Sequence, residues 1–367
     1  MEDLRRSAAA LAPIPAVAAR EYRAKLATLR EQVGRELADY LAIEVLIGFN
    51  PVEAMYDQHR YHAIFMANVL HFNAFELLAG TVPWVYQTYH AHGFSYDYFL
   101  LEVKAWMRAV AEHLEAASAQ EVNAVYLWWL SHHEDLITLS RSDLTILLSL
   151  DPSLDQEQEE FLPMLLRGES RECLRLADGV VTSPEALMNF YLQVIQPCLY
   201  RVGNLWQRGV ISVAQEHLAS TVVDRVMAAA YTRVEPMNPL KGRAVVTVAP
   251  NNFHEIGARM LADCLSLDGW ETDYLGANMP QSDLLGFLAG SPPFLVAISS
   301  AMLCNLMETE EIVKGIKSHP YLQDTHIMVG GGLFLANPDL WHATGADGWT
   351  PDAKAAVALA RRWWEAR

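Results

Sequence analysis

The sequence predicts an all-helical N-terminal region, a four-helix bundle, and a C-terminal doubly wound α/β domain built on a parallel sheet. Two observations carry this. Apolar residues recur every three or four positions through residues 1–150 and 157–236, the period of a helix face. After Lys241 the pattern changes to short β-branched apolar runs alternating with helical stretches, the pattern of buried parallel strands and their crossovers.

In the first region, helices are expected over Arg20–Leu46, Tyr56–Leu78, Val82–His92, Tyr96–Ala116 and Ala119–Leu148, separated by Gly, Pro and Ser. The acidic stretch from Asp151 to Glu160 reads as a linker running into the next helix. In the second region, breaks at Gly168-Glu169-Ser170, Thr182-Ser183-Pro184 and Arg208-Gly209 leave four helices with short connections. Ser183-Pro184 is the strongest start signal, an N-cap hydroxyl followed by proline at the first helical position. In the third region, 241–367, strands are expected at Ala244–Ala249, Gly269–Leu275, Phe294–Ser299 and His326–Val329. Helices are expected over Glu255–Leu267, Gln281–Leu288, Glu308–Ser318 and Ala353–Glu365. Such a Rossmann-like sheet binds its ligand across the carboxyl ends of the strands.

Of the 367 residues, 52% are hydrophobic and 19% charged, enough apolar material for more than one folded core. Lys and Arg number 27 against 44 Asp and Glu, a net charge of −17, which disfavours a basic face for nucleic acid or anionic lipid. No run approaches the ~20 apolar residues of a membrane span, and the N-terminus lacks an uninterrupted apolar core. Cys173, Cys198, Cys264 and Cys304 are scattered without CxxC spacing, so neither a disulfide framework nor a zinc site is signalled. A cytoplasmic protein is expected.

The chemistry-bearing residues gather at the expected strand ends. Asn252-Phe253-His254-Glu255-Ile256-Gly257 follows the first strand, putting His254 on a loop and Gly257 where a ligand or a strand could come close. Ser299-Ser300-Ala301-Met302 ends the third strand, and Gly330-Gly331-Gly332 the fourth. Taken alone, a histidine in such a loop is an ordinary polar residue; three special loops on one sheet edge are not. In this order and spacing, residues 241–367 resemble the cobalamin-binding domains of corrinoid proteins, with their Asp-x-His-x-x-Gly, Ser-x-Leu and Gly-Gly motifs.

That resemblance implies that His254 is the lower axial ligand of cobalt, that Ser300 lies near the nucleotide tail, and that Gly330 and Gly331 line its channel. Imidazole nitrogen is a suitable neutral donor. Asn252 stands where the family has an acidic residue that would polarise the histidine, and Met302 fills the leucine position, a volume-conserving exchange. In the bundle, Trp206, nine intervening residues and then Glu216-His217 resemble the light-sensing adenosylcobalamin (CarH-type) family, typified by repressors of carotenoid synthesis. The resemblance implies that Trp206 and Glu216 flank the adenosyl group. Read without it, they are a core tryptophan and a buried Glu-His pair. In those repressors a histidine directly follows the tryptophan and captures cobalt after photolysis. Here that residue is Gln207, leaving water or another histidine such as His217 for the vacated position.

Residues 1–150 hold 19 of the 36 aromatics and 8 of the 13 histidines, so a pocket for a flat ligand is to be sought there. The run from Trp84 to Phe99, with Trp128-Trp129 and His132-His133, could line such a pocket or form the core of a helical bundle. Aromatic helical domains ahead of this module resemble the photocobilins, which hold biliverdin beside cobalamin. Because no cysteine lies in residues 1–150, a bilin there would be non-covalent. The combined expectation is a light receptor rather than an enzyme, with no catalytic residue, that forms a homo-oligomer or acts on a protein effector. The alternatives are a corrinoid methyl carrier and a cobalamin-binding transcriptional antirepressor.

Overall fold

The computed structural model describes residues 1–142, 156–234 and 240–367. The end of the helix expected to reach Leu148 and the first part of the acidic stretch lie outside the described residues, as do residues 235–239. The chain divides into two compact units. One comprises the described residues before 143 together with Gln207–Val210, and the other the remaining described residues from 156 onward.

The first unit is helical: α1 (Glu2–Ala9), α2 (Ala16–Ala24), α3 (Leu26–Ala38), α4 (Ile43–Leu46), α5 (Val52–Phe72), α6 (Phe75–Ala91), α7 (Tyr96–His113), α8 (Ala116–Ser131) and α9 (His133–Ser140). The expected helix over Arg20–Leu46 is three separate helices. The break expected after Leu78 instead falls at Asn73, which adopts the left-handed conformation (φ 52°) and accepts a hydrogen bond from the Ile14 N–H at 2.6 Å. Pro83 lies inside α6, so here tertiary packing outweighs the local breaker.

The second unit begins with four helical segments: α10 (Gln156–Leu166), α11 (Ser170–Val180), α12 (Pro184–Phe190) continuing through a π-helical turn over Tyr191–Ile195 into α13 (Gln196–Gln207), and α14 (Val213–Tyr231). Ser183 Oγ accepts from the Ala186 N–H at 3.1 Å, the cap anticipated from its sequence. A capping box of Ser212 and Gln215 starts α14.

The α/β part contains β1 (Arg243–Val248), α15 (Ile256–Leu267), β2 (Glu271–Tyr274), α16 (Gln281–Gly290), β3 (Leu295–Ser299), α17 (Leu306–Ser318), β4 (His326–Gly330), α18 (Gly332–Ala336), α19 (Trp341–Thr344), β5 (Gly348–Trp349) and α20 (Ala353–Glu365). The sheet is parallel in the order β2-β1-β3-β4-β5. The fifth strand, two residues long, was not evident as a strand in sequence. Bundle and sheet share one apolar core: Phe190, Ile195, Val223 and Met227 bury with Val246, Met260, Leu265 and Leu295. Among the described residues no helix is long and apolar enough to cross a membrane.

Candidate functional site

The strand order reverses between β1 and β3, where the crossovers leave to opposite faces and open a crevice. Register aligns the three loops there, since Val248 pairs with Ser299 and Ser299 with Gly330. The main chain ties them further. The Ala249 N–H donates to Ser299 O at 3.0 Å and the Ser300 N–H to Gly330 O at 2.9 Å.

The loop after β1 is held from three sides. Asn251 and Asn278 both adopt positive φ, and the Asn251 N–H donates to Asn278 Oδ1 at 2.9 Å. Asn305 Nδ2 donates to Pro250 O at 3.2 Å, while its Oδ1 accepts from the Met302 N–H at 3.2 Å, joining the first and second loops. Neither Asn278 nor Asn305 was singled out from the sequence. The available signals were an asparagine in a left-handed turn and an asparagine at a helix N-cap.

Asn252, only 2% exposed, organises the histidine. Its Oδ1 accepts from the His254 N–H at 3.0 Å and lies 3.2 Å from His254 Nδ1, while its Nδ2 donates to Ser299 O at 3.3 Å. With Oδ1 as an acceptor, Nδ1 carries the ring proton and Nε2 keeps its lone pair. The amide thus orients the imidazole without the charge a carboxylate would add. His254 is exposed, yet neighbouring protein displaces part of its hydration. Loss of hydration lowers its pKa from the ordinary value, and the nearby Glu216 carboxylate only partly opposes this. His254 therefore presents a neutral nitrogen at neutral pH.

Glu216 belongs to the first turn of α14 and is partly exposed. It accepts from Ser220 Oγ at 2.9 Å and pairs with His217 Nδ1 at 2.6 Å. The His217 side chain is 74% exposed. Trp206 is partly buried on the second unit's core at the end of α13, where the Ile211 N–H donates to Leu205 O. Gln207 begins the segment assigned to the first unit, and its Nε2 donates to Gln87 Oε1 at 2.7 Å. Phe253, Val213 and Leu218 are exposed apolar side chains, the first beside His254 and the others flanking Glu216 in sequence.

The glycines differ in their demands. A Cβ on Gly257 would meet nothing within 4 Å, so no neighbouring strand requires glycine there and the space above α15 is open. A Cβ on Gly331 (φ +103°) would lie 2.4 Å from Ser300 O, so this glycine permits two loops to touch. Gly330 is looser, its nearest neighbour being Thr350 O at 3.7 Å. Ser300 is fully buried and its hydroxyl is 2.6 Å from Thr309 Oγ1, so the side chain braces the loop against α17. Met302 is partly exposed beside it.

Comparison with known proteins bears on these two segments. Residues 242–358 match a family described as B12 binding domain, and residues 157–231 match a second family of the same description. The two segments are B12-binding domains. His254, Ser300, Met302, Gly330 and Gly331 fall in the C-terminal B12-binding domain, and Trp206, Glu216 and His217 in the other. Two Myxococcus xanthus proteins are relatives. The HTH-type transcriptional repressor CarA is 33% identical over 150 residues, 40% of this chain and 49% of that one. The HTH-type transcriptional repressor CarH is 31% identical over 108 residues, 29% of this chain and 36% of that one. The match thus spans half or less of these relatives' length. The Methanosarcina barkeri monomethylamine corrinoid protein, a solved structure, aligns at TM-score 0.48 and 17% identity over 56% of this chain and 98% of its own. A cobalamin-binding protein from Desulfitobacterium hafniense DCB-2 aligns at 0.32 and 17% over 57% and 98%.

In the first unit, the aromatic run is packed largely on itself. Tyr86 stacks on Phe99 at 4.2 Å, Tyr89 meets Phe94 at 5.2 Å and His90 stacks on Tyr96 at 4.1 Å. Tyr86, Phe94, Tyr98 and Phe99 are buried, whereas Trp84, Tyr89 and Tyr96 keep partial exposure.

Proposed function

We propose that this chain is an adenosylcobalamin-binding light receptor, with His254 as the lower axial ligand and Trp206 and Glu216 beside the upper ligand. The observation that carries the reading is the His254–Asn252 pair at the sheet's switch point, which leaves Nε2 neutral and open while Nδ1 is tied down. Among the described residues no three His, Cys, Asp or Glu side chains gather as a metal site. One isolated imidazole suits a metal whose remaining positions are filled by its own macrocycle. The open space above Gly257 and the exposed Phe253, Val213 and Leu218 fit a broad apolar ring system. When bound, adenosylcobalamin supplies a cobalt–carbon bond that visible light breaks.

The chain's own part is to orient and to respond. Asn252 fixes the His254 tautomer, Ser300 and Gly331 hold the loops together, and Glu216 offers acceptors to a ribose or adenine. Loss of the nucleoside would remove its contacts with Trp206 and Glu216, biasing the bundle toward a second packing. The output is a changed association with a protein effector or with further copies, and biliverdin, held without a covalent bond, is the second chromophore in this reading. Reconstitution with adenosylcobalamin tests it, by absorption spectra before and after green light, with and without biliverdin. A histidine-ligated spectrum that changes on illumination is expected, and His254→Ala should lose that ligation. Unaltered cobalamin binding and spectrum in His254→Ala would refute the axial role, and a light-stable spectrum would refute photoreception.

A further inference from the structure

The first unit buries a polar relay that the cobalamin reading does not use. Glu102 on α7 is 0% exposed, and its polar partners among the described residues are donors. Its Oε1 lies 2.9 Å from both His62 Nδ1 and Trp106 Nε1, and its Oε2 accepts from Gln58 Nε2 at 3.0 Å. Beyond His62 the relay continues. Its Nε2 is 3.2 Å from Tyr126 Oη, which is 2.9 Å from Tyr22 Oη, and both tyrosines are 0% exposed.

Hydrogen-bond accounting fixes the direction of this chain. Tyr22 Oη has one hydrogen-bonding neighbour among the described residues, Tyr126, and a buried hydroxyl left without an acceptor is costly. Tyr22 therefore donates to Tyr126, Tyr126 donates to His62 Nε2, and His62 Nδ1–H donates to Glu102. His62 Nε2 is then an acceptor, with a carboxylate at Nδ1 and two indole faces against the ring, Trp106 at 4.7 Å and 4° and Trp129 at 5.2 Å and 10°. The proton available to it is that of Tyr126. Burial holds that phenol well above its ordinary pKa, so it does not ionise at neutral pH. Removal of an electron makes a phenol strongly acidic, and only then does the proton leave.

We propose that Tyr126 is a redox-active tyrosine, oxidised by one electron with His62 as its proton acceptor. A photoexcited dye acting as one-electron acceptor takes the electron. The Tyr126 O–H bond breaks, and its proton forms the N–H bond at His62 Nε2. The products are a neutral phenoxyl radical, an imidazolium paired with Glu102, and the dye reduced by one electron. Hydrogen bonding and stacking hold the proton acceptor at the phenol before the electron leaves, and burial shields the radical from solvent.

Flash oxidation of the full chain with photogenerated tris(bipyridine)ruthenium(III), read by transient absorption and electron paramagnetic resonance, tests this. A long-lived tyrosyl signal is expected, lost in Tyr126→Phe. In His62→Gln its formation should slow about 100-fold, the scale of a positioned proton acceptor, with the solvent deuterium effect altered. Near-UV circular dichroism establishes folding of each variant. Should Tyr126→Phe not fold, Tyr22→Phe takes its place, and it should keep the signal. An undiminished signal in Tyr126→Phe, an unchanged rate in His62→Gln, or loss of the signal in Tyr22→Phe would overturn the assignment.

Discussion

Asn252 shows how much one side chain decides at the β1 loop. Its amide does with a neutral oxygen what the resemblance expected of a carboxylate, and the cost is a less basic His254. A second residue, Asp263 on α15, carries a clearer energetic consequence. Burial raises its pKa to about 6, against the hydrogen bond from Tyr191 Oη at 2.8 Å and the charge of Arg259. A carboxyl raised on folding favours the native state most below its unfolded pKa, and that contribution is lost as pH rises through 4 to 6. Asp263→Asn, which keeps an acceptor for Tyr191 and cannot ionise, should therefore stabilise the chain at pH 8 by about 1–2 kcal/mol. The gain should shrink as pH falls below 6. Urea denaturation across this range is the measurement, and a pH-independent difference would show that Asp263 does not titrate as described. Nothing in sequence marked Asp263, because its environment is made by the π-helical turn at Tyr191 on another element.

Loops and helix ends separate two kinds of glycine that a sequence motif treats alike. Gly331 has backbone angles (φ 103°, ψ 176°) that other residues scarcely adopt, and its missing Cβ faces the Ser300 carbonyl. Gly331→Ala should cost about 2–4 kcal/mol. Gly257→Ala, placed in open space at the start of α15, should leave thermal stability within about 0.5 kcal/mol while weakening cobalamin retention. Calorimetry and equilibrium dialysis on the two variants distinguish these roles. Equal destabilisation would mean that Gly257 serves the fold, and unchanged retention in Gly257→Ala would remove it from the ligand's surroundings. Most elements of the second unit were legible because caps and period agreed, as at Ser183 and over Ala353–Glu365, where sequence and structure coincide. In the first unit, boundaries moved when a distant group intervened. Asn73 ends α5 where Ile14 supplies the donor, and Pro83 stays helical among buried neighbours.

At the scale of the molecule, the bundle and the sheet share one buried core, which predicts that they open together. Leu265, 0% exposed on α15, touches that core from the sheet side. Leu265→Ala should cost about 2–5 kcal/mol and accelerate amide exchange in α14 and β1 together. Acceleration confined to β1 would mean two independent cores. The sequence alone determined the order of parts, the parallel strands and the ordered His254, Ser300 and Gly331 motifs, because period, caps and turn residues act over a few positions. Only the tertiary structure decided which nitrogen of His254 is free, that Glu216 lies near it, that Ser300 faces inward, and that Tyr126, His62 and Glu102 form one relay. Those outcomes depend on register and on groups tens of residues apart brought within hydrogen-bond reach, and a linear pattern does not carry that distance information.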